Sequence, residues 1–177
     1  MKIYTAVVCI AACLFSGTLA YDDKDLKCGP TEHLSGFVRV VNKNKRDISH
    51  RCSKFSPHLK QDVTCELGDS LKCNGEEEGC NDPNAWIGGF QVFDSGDKAE
   101  LYRPYCCKSD QVSIRQDKCR NVKISSGNGR PVKYFLPSTR LVHRFSCSYV
   151  KADDGNGLKD MSFSSEECHY SVNKKSG

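Results

Sequence analysis

Three things are scarce in this sequence. It has a single tryptophan, no Asn-x-Ser/Thr sequon, and no apolar run long enough to cross a bilayer. The missing sequon excludes an N-linked glycan. The missing run excludes a membrane-spanning helix, which needs about 20 apolar residues. The longest apolar stretch, residues 3–15 of "MKIYTAVVCIAACLFSGTLA", follows Lys2 and ends in small residues. That pattern predicts a signal peptide over residues 1–20, cleaved after Ala20. Removing 20 of 177 residues leaves a mature chain of 157, headed out of the cell. No long amphipathic helix is legible either, and that absence points to a mainly β fold.

Catalytic signatures are absent as well. No HExxH, HxE or Cys/His metal spacing and no Gly-x-Ser-x-Gly elbow occurs. Of the five histidines, His50 and His143 stand among Lys/Arg-rich strands and are the candidates for a ribonuclease-like pair. Without a motif, His33, His50, His58, His143 and His169 read more simply as packed or solvated side chains. The stretch "CCKSDQVSIRQDKC" is similar in its doublet to secreted phospholipase A2. Lys108-Ser109-Asp110 lacks the histidine that such a site needs as base, and no glycine-rich calcium loop lies upstream. The run "NGEEEGCND" offers carboxylates for calcium, but without EF-hand spacing it reads as a solvated acidic loop. The sequence therefore predicts no enzyme, no cofactor and no metal.

Cysteine is what the chain has in abundance. Two of the 12, Cys9 and Cys13, fall in the signal peptide. Ten remain, an even number, which in a secreted chain predicts five disulfides. Each is worth about 2–4 kcal/mol, which supplements a thin apolar core. An even count leaves no free thiol for catalysis.

The chain also repeats itself. "LSGFVRVVNKNKRDISHRC" aligns with "IGGFQVFDSGDKAELYRPYC": Leu34 with Ile87, Gly36 with Gly89, Phe37 with Phe90. A looser third copy is "CSYVKADDGNGLKDMSFSSEEC". The repeats cover about residues 28–52, 65–107 and 147–168. They lie in one disulfide-rich β domain over 21–170, with a polar tail at 171–177. Each repeat reads as a hairpin: alternating β-branched and aromatic residues, a polar turn, and a return strand. Pro104 then belongs at an edge or a bulge.

A hairpin closed by its own cysteines predicts Cys28–Cys52 and Cys147–Cys168. Cys65 should close on one member of the doublet, set here as Cys106. The other, Cys107, is left for Cys119, and Cys73–Cys80 closes the acidic loop. Spacing alone does not fix which of Cys106 and Cys107 meets Cys65.

The formal net charge is +4. Two basic stretches, residues 36–60 and 115–144, flank an acidic one around Glu76-Glu77-Glu78. Lys43, Lys45, Arg46, Arg120, Lys123 and Arg130 are the candidates for an anion-contacting surface, since Arg and Lys suit sulfate and carboxylate. A solubilising face is the plainer reading of the same charges. The second candidate surface is aromatic: Trp86, Phe90, Phe93, Tyr102 and Tyr105, exposed as a hot spot or packed as a core. Nucleic acid is disfavoured by secretion and by the modest charge.

Leu34-Ser35-Gly36-Phe37, Ile87-Gly88-Gly89-Phe90 and the Cys106-Cys107 doublet together resemble the dermatopontin family. The family's Asp-Arg-x-Trp signature is missing: the positions read Asp47-Ile48-Ser49, Glu100-Leu101-Tyr102 and Asp160-Met161-Ser162. In general style the chain also resembles invertebrate secreted cysteine-rich domains of no assigned function. The dermatopontin resemblance implies a matrix or lectin-like protein that binds glycosaminoglycans, glycans or matrix proteins. The expectation is thus a secreted, non-enzymatic binder of sulfated or acidic glycans, monomeric or weakly self-associating. The alternative is an effector or inhibitor acting on an extracellular protein.

Overall fold

The structure, a computed structural model, describes residues 24–42, 45–55, 59, 63–94, 100–124, 131–150 and 160–173. The signal peptide and residues 174–177 of the tail lie outside the described residues. Within them the chain forms strands and no helix: β1 (Lys24–Lys27), β2 (Glu32–Asn42), β3 (Lys45–Lys54), β4 (Thr64–Leu67), β5 (Glu78–Gly79), β6 (Trp86–Asp94), β7 (Glu100–Lys108), β8 (Val112–Lys123), β9 (Val132–Phe135), β10 (Arg140–Val150) and β11 (Asp160–Val172). The protein is mainly β and disulfide-rich, as the composition predicts.

Three antiparallel hairpins, β2–β3, β6–β7 and β10–β11, carry the fold. Each has an irregular register at the same place: between Leu34 and Gly36, Ile87 and Phe90, and Val142 and Arg144. Each bulge is followed by a buried phenylalanine, Phe37, Phe90 or Phe145. The third repeat therefore starts at Arg140, not at Cys147. Its phenylalanine lies before the cysteine, in "LVHRFSC", so matching on cysteines shifts the alignment.

The short strands close these hairpins into a ring. β1 precedes the first hairpin and pairs with β6 of the second. β5 precedes the second and pairs with β10 of the third. β9 precedes the third and pairs with β2 of the first. Each repeat thus lends a strand to the next, and the last lends one to the first. The trailing strands follow the same rule, β4 adding to β7 and β8 to β11.

Glycine makes the ring possible. A Cβ on Gly36 would stand 2.3 Å from Tyr134 O in β9, and one on Gly89 2.1 Å from Leu26 O in β1. Gly89 also holds φ +153°, which L side chains seldom adopt. The third hairpin has Arg144 at this position, and the glycine moves to the neighbouring strand: Gly79 faces Arg144 with its own Cβ site 2.8 Å from His143 O.

Alternation along the strands sorts side chains into two cores. Phe37, Ile48, Tyr134, Ile87, Phe90, Tyr102, Phe145, Met161 and Phe163 fill the space between the three-stranded sheet β3-β2-β9 and the larger eight-stranded sheet. Phe37 meets Phe145, Phe163 and Tyr134 with ring centroids 5.5–5.8 Å apart. Each such ring contributes roughly 2–3 kcal/mol by burial. Trp86, Tyr105, Leu141 and Cys168 use the opposite face of the large sheet, with Phe55, Leu59, Val112 and Ile114. Pro104 lies opposite Phe90 at the bulge and just beyond the end of β4, where its missing N–H is not needed by the ladder.

The same alternation decides the cysteine doublet. Cys107 faces the second core and bonds to Cys65, directly across the β4–β7 ladder. Cys106 points the other way and bonds to Cys80. Cys28–Cys52 is found as expected. The other expected pairs are replaced. Cys73 bonds to Cys147, because Asn74 bridges Ser148 and places the two cysteines side by side. Cys119 bonds to Cys168, its rung partner between β8 and β11. Cys147 and Cys168 cannot meet: Cys168 sits opposite Leu141 and Cys147 opposite Phe163. Six residues of strand separate those rungs, about 20 Å at 3.3 Å per residue, against a limit near 7 Å for disulfide Cα atoms. Closure of a hairpin by the cysteines that flank it holds for the first two repeats, through Cys28–Cys52 and Cys80–Cys106, and Cys65 takes Cys107, the member of the doublet that spacing left open; the third hairpin has no such closure.

Candidate binding surface

The outward face of the three-stranded sheet carries the exposed chemistry. In β9, Val132 and Tyr134 turn inward, so Lys133 and Phe135 turn out. Phe135 is 57% exposed and is the large hydrophobic side chain left in solvent among the described residues. Register aligns Phe135 with Gly36 of β2 and Arg51 of β3, in a row across the sheet. Gly36 has no side chain, so ring and guanidinium meet over bare backbone. The Arg51 guanidinium lies over the Phe135 ring, 5.6 Å from its centroid. Arg51 has no carboxylate partner among the described residues. The next row sets Ser49 and Lys133 on either side of Val38.

The other two repeats have the equivalent row, and both are spent internally. In the second, Lys27 and Tyr105 flank the glycine bulge, with the ammonium 5.1 Å from the ring centroid and the ring buried. In the third, Arg144 stands in the middle and pairs with Glu166 at 3.8 Å. The first row alone presents a free aromatic face.

The six cations expected to form one anion surface fall on different sheets. Lys45 and Arg46 start β3, opposite Asn42 and Val41, with their side chains outside the described set. Lys43 and Arg130 lie outside the described residues. Lys123 is exposed at the end of β8, on the large sheet. Arg120, also on β8, is committed to Glu167: Nε and Nη2 donate to Oε2 at 3.1 and 2.9 Å. Glu167 is buried, and its other oxygen accepts from Tyr134 Oη at 2.9 Å. Arg120 is a structural ion pair.

The aromatic hot spot is not on the surface. Trp86, Phe90, Tyr102 and Tyr105 are buried and Phe93 is half-buried. A thin core takes the large rings first. Phe135, the exposed ring, was not singled out from the sequence. The strand "VKYF" alternates, and the signal available was its last apolar residue falling on the lysine's face.

The histidines are dispersed. His33 is buried between Phe55 and Tyr170, ring centroids 4.9 and 5.8 Å away, and burial lowers its pKa. His143 Nδ1 lies 3.4 Å from Glu166. His50 faces inward opposite Phe37, His169 lies opposite Arg115 and Arg140, and His58 is outside the described residues. Two triads of metal-type donors, Cys28/His50/Cys52 and Cys119/Glu166/Cys168, contain disulfide sulfurs that are bonded to each other and not free to ligate. An open cleft of about 640 Å³ beside β4 is lined by Glu66, Asp69, Glu78 and Asp82 with Lys72 and Lys108. Glu78 accepts from Lys72 N at 3.0 Å and lies 3.6 Å from Lys72 Nζ, while Glu76 and Glu77 are exposed.

Five disulfides among the described residues fit an oxidising environment. No helix of the described residues is long and apolar enough to cross a membrane. No family model, no curated protein and no solved structure matches this chain.

Proposed function

We propose that this is a secreted, non-enzymatic glycan-binding protein, and that it holds acidic or sulfated sugars on the outer face of the three-stranded sheet. The observation that carries the reading is the exposed Phe135 ring with Arg51 stacked on it and Lys133 beside it. A flat ring offers apolar area to the C–H face of a pyranose. A guanidinium next to it offers a planar fork to sulfate or carboxylate. A lone exposed ring is ordinary on a protein surface; what supports the reading is the ring together with a guanidinium that has no carboxylate partner among the described residues. A matrix role of the kind that the dermatopontin resemblance implies agrees with this chemistry.

The test is binding of the disulfide-intact protein to sulfated and neutral glycans at low and physiological salt. Sulfated chains should bind more tightly, and the affinity should fall steeply with salt, by analogy with counterion release from polyanions. Phe135→Ala should weaken binding at all salt concentrations. Arg51→Ala and Lys133→Ala should also flatten the salt dependence. Equal binding by Phe135→Ala would overturn the assignment of the face.

A further inference from the structure

We propose that the outer edge of β3 is a docking site for an extended acidic peptide segment of a partner protein, added antiparallel as one more strand. The proposal starts from the ring of repeats. The return strands of the second and third hairpins, β7 and β11, are each covered on their outer edge by a trailing strand, β4 or β8. The carbonyl of Tyr102 accepts from Leu71 N, and that of Phe163 from Ile124 N, both at 2.8 Å. The equivalent residue of β3 is Ile48, which stands opposite Arg39 as Tyr102 stands opposite Val92 and Phe163 opposite Cys147. Among the described residues its carbonyl receives only the Lys24 ammonium, at 3.4 Å. No described strand lies beyond β3 in the order β3-β2-β9.

The anchor is missing too. Cys107 and Cys168 tie the covering strands on through Cys65 and Cys119. The residue at that register in β3 is Ser53. The first edge is thus built like the other two but without the covalent link, so a strand there can exchange. Strand addition supplies affinity through main-chain hydrogen bonds and specificity through side chains.

Charge selects the occupant. β3 reads "KRDISHRCSK": four Lys/Arg against Asp47, whose carboxylate is paired with Lys24. A second copy added antiparallel would set Lys45 and Arg46 near Arg51 and Lys54 of its mate, and like charges facing each other are destabilising. Cationic edges of this kind exclude self-association. They favour a glutamate- or aspartate-rich strand.

The probe is a synthetic ten-residue peptide alternating glutamate with valine and threonine, added to the full disulfide-intact chain at low salt. In the free protein, amides of His50 and Cys52 should exchange at least tenfold faster than those of Cys106 and Glu167. The peptide should slow them at least tenfold. A lysine-for-glutamate peptide and a fully N-methylated peptide should do neither. In Ser53→Cys, an acidic peptide whose cysteine is activated as a 2-pyridyl disulfide should be captured by thiol–disulfide exchange, with release of 2-thiopyridone, faster than a basic one. Phe135→Ala should leave peptide protection unchanged, which separates this edge from the glycan face. Three results overturn the proposal: β3 amides already as slow as those of β7 in the free protein, which would mean that the chain covers its own edge; no slowing by the acidic peptide; or equal binding of the N-methylated peptide, which would mean ionic attachment only.

Discussion

Tyr134 Oη donates a 2.9 Å hydrogen bond to Glu167 Oε1, and this contact occupies the place that disulfides hold in the other two repeats. Glu167 aligns with Cys52 and Cys106, each one rung from its bulge. Cys52 and Cys106 are bonded to Cys28 and Cys80, each one residue past the strand lent to the next hairpin. In the third repeat the lent strand is β9, and Tyr134 makes the connection. Ser165 Oγ supports it by donating to Tyr134 Oη at 3.2 Å, and Arg120 neutralises the carboxylate.

Breaking this network should cost stability rather than binding. Glu167→Ala leaves a buried phenol without its acceptor and should lose about 2 kcal/mol, the cost of a buried polar group left unsatisfied. Arg120→Ala should cost at least as much, because it leaves the buried Glu167 carboxylate without its counter-ion. Tyr134→Phe should cost about 1 kcal/mol. Urea unfolding measures all three. Sulfated-glycan affinity of the folded Arg120→Ala variant should equal that of the parent protein.

The doublet gives a connectivity test. The double variant Cys80→Ser/Cys106→Ser should fold with no free thiol, destabilised by about 2–4 kcal/mol. A thiol count after denaturation reads the outcome. Two thiols would mean that Cys80 and Cys106 have other partners, as in the sequence-based pairing of Cys73 with Cys80 and Cys65 with Cys106.

His33 should make the protein sensitive to mild acid. Its imidazole is buried, and burial lowers its pKa below the ordinary 6.5. As pH falls, the unfolded chain binds the proton first. Stability is therefore full above about pH 6.5, declines below it by up to about 1.4 kcal/mol per pH unit, and levels off once the folded-state pKa is passed. His33→Phe keeps a ring between Phe55 and Tyr170 and carries no proton. Its urea midpoint between pH 7.5 and 5 should fall less than that of the parent.

Gly36→Ala should uncouple β9 from β2. The new methyl would stand 2.3 Å from Tyr134 O, a backbone atom that cannot rotate away. A loss of at least about 2 kcal/mol is expected, at the upper end for an overpacked site. Calorimetry would register it. The glycan face should be lost with it, since Phe135 and Arg51 meet over this residue.

Much of the fold was legible in the chain itself. Alternation in "GFVRVV" and "GFQVF", turn residues between strands, and an even cysteine count set a mainly β, crosslinked domain. These are local signals, since side-chain period and turn chemistry act within a few residues. The same signals aligned the first two repeats through Gly36-Phe37 and Gly89-Phe90, where the structure then places the bulges. They missed the third because Arg144 replaces the glycine and Gly79, on another strand, takes its role.

What only the tertiary structure decided is non-local. Disulfide partners depend on which strands lie side by side, and the ring places each lent strand on the next hairpin. Spacing favours closures between near cysteines, and three bridges of the five do lie within one repeat, Cys28–Cys52, Cys65–Cys107 and Cys80–Cys106, while Cys73–Cys147 and Cys119–Cys168 tie the third hairpin to segments outside it. The binding face is non-local in the same way. Gly36, Arg51 and Phe135 are far apart in sequence and meet because β2 lies between β3 and β9. Charge density along the chain pointed to Arg120, which the fold spends on a buried carboxylate. The sequence determined which elements form; the closure of the ring determined which of their side chains are left for a partner.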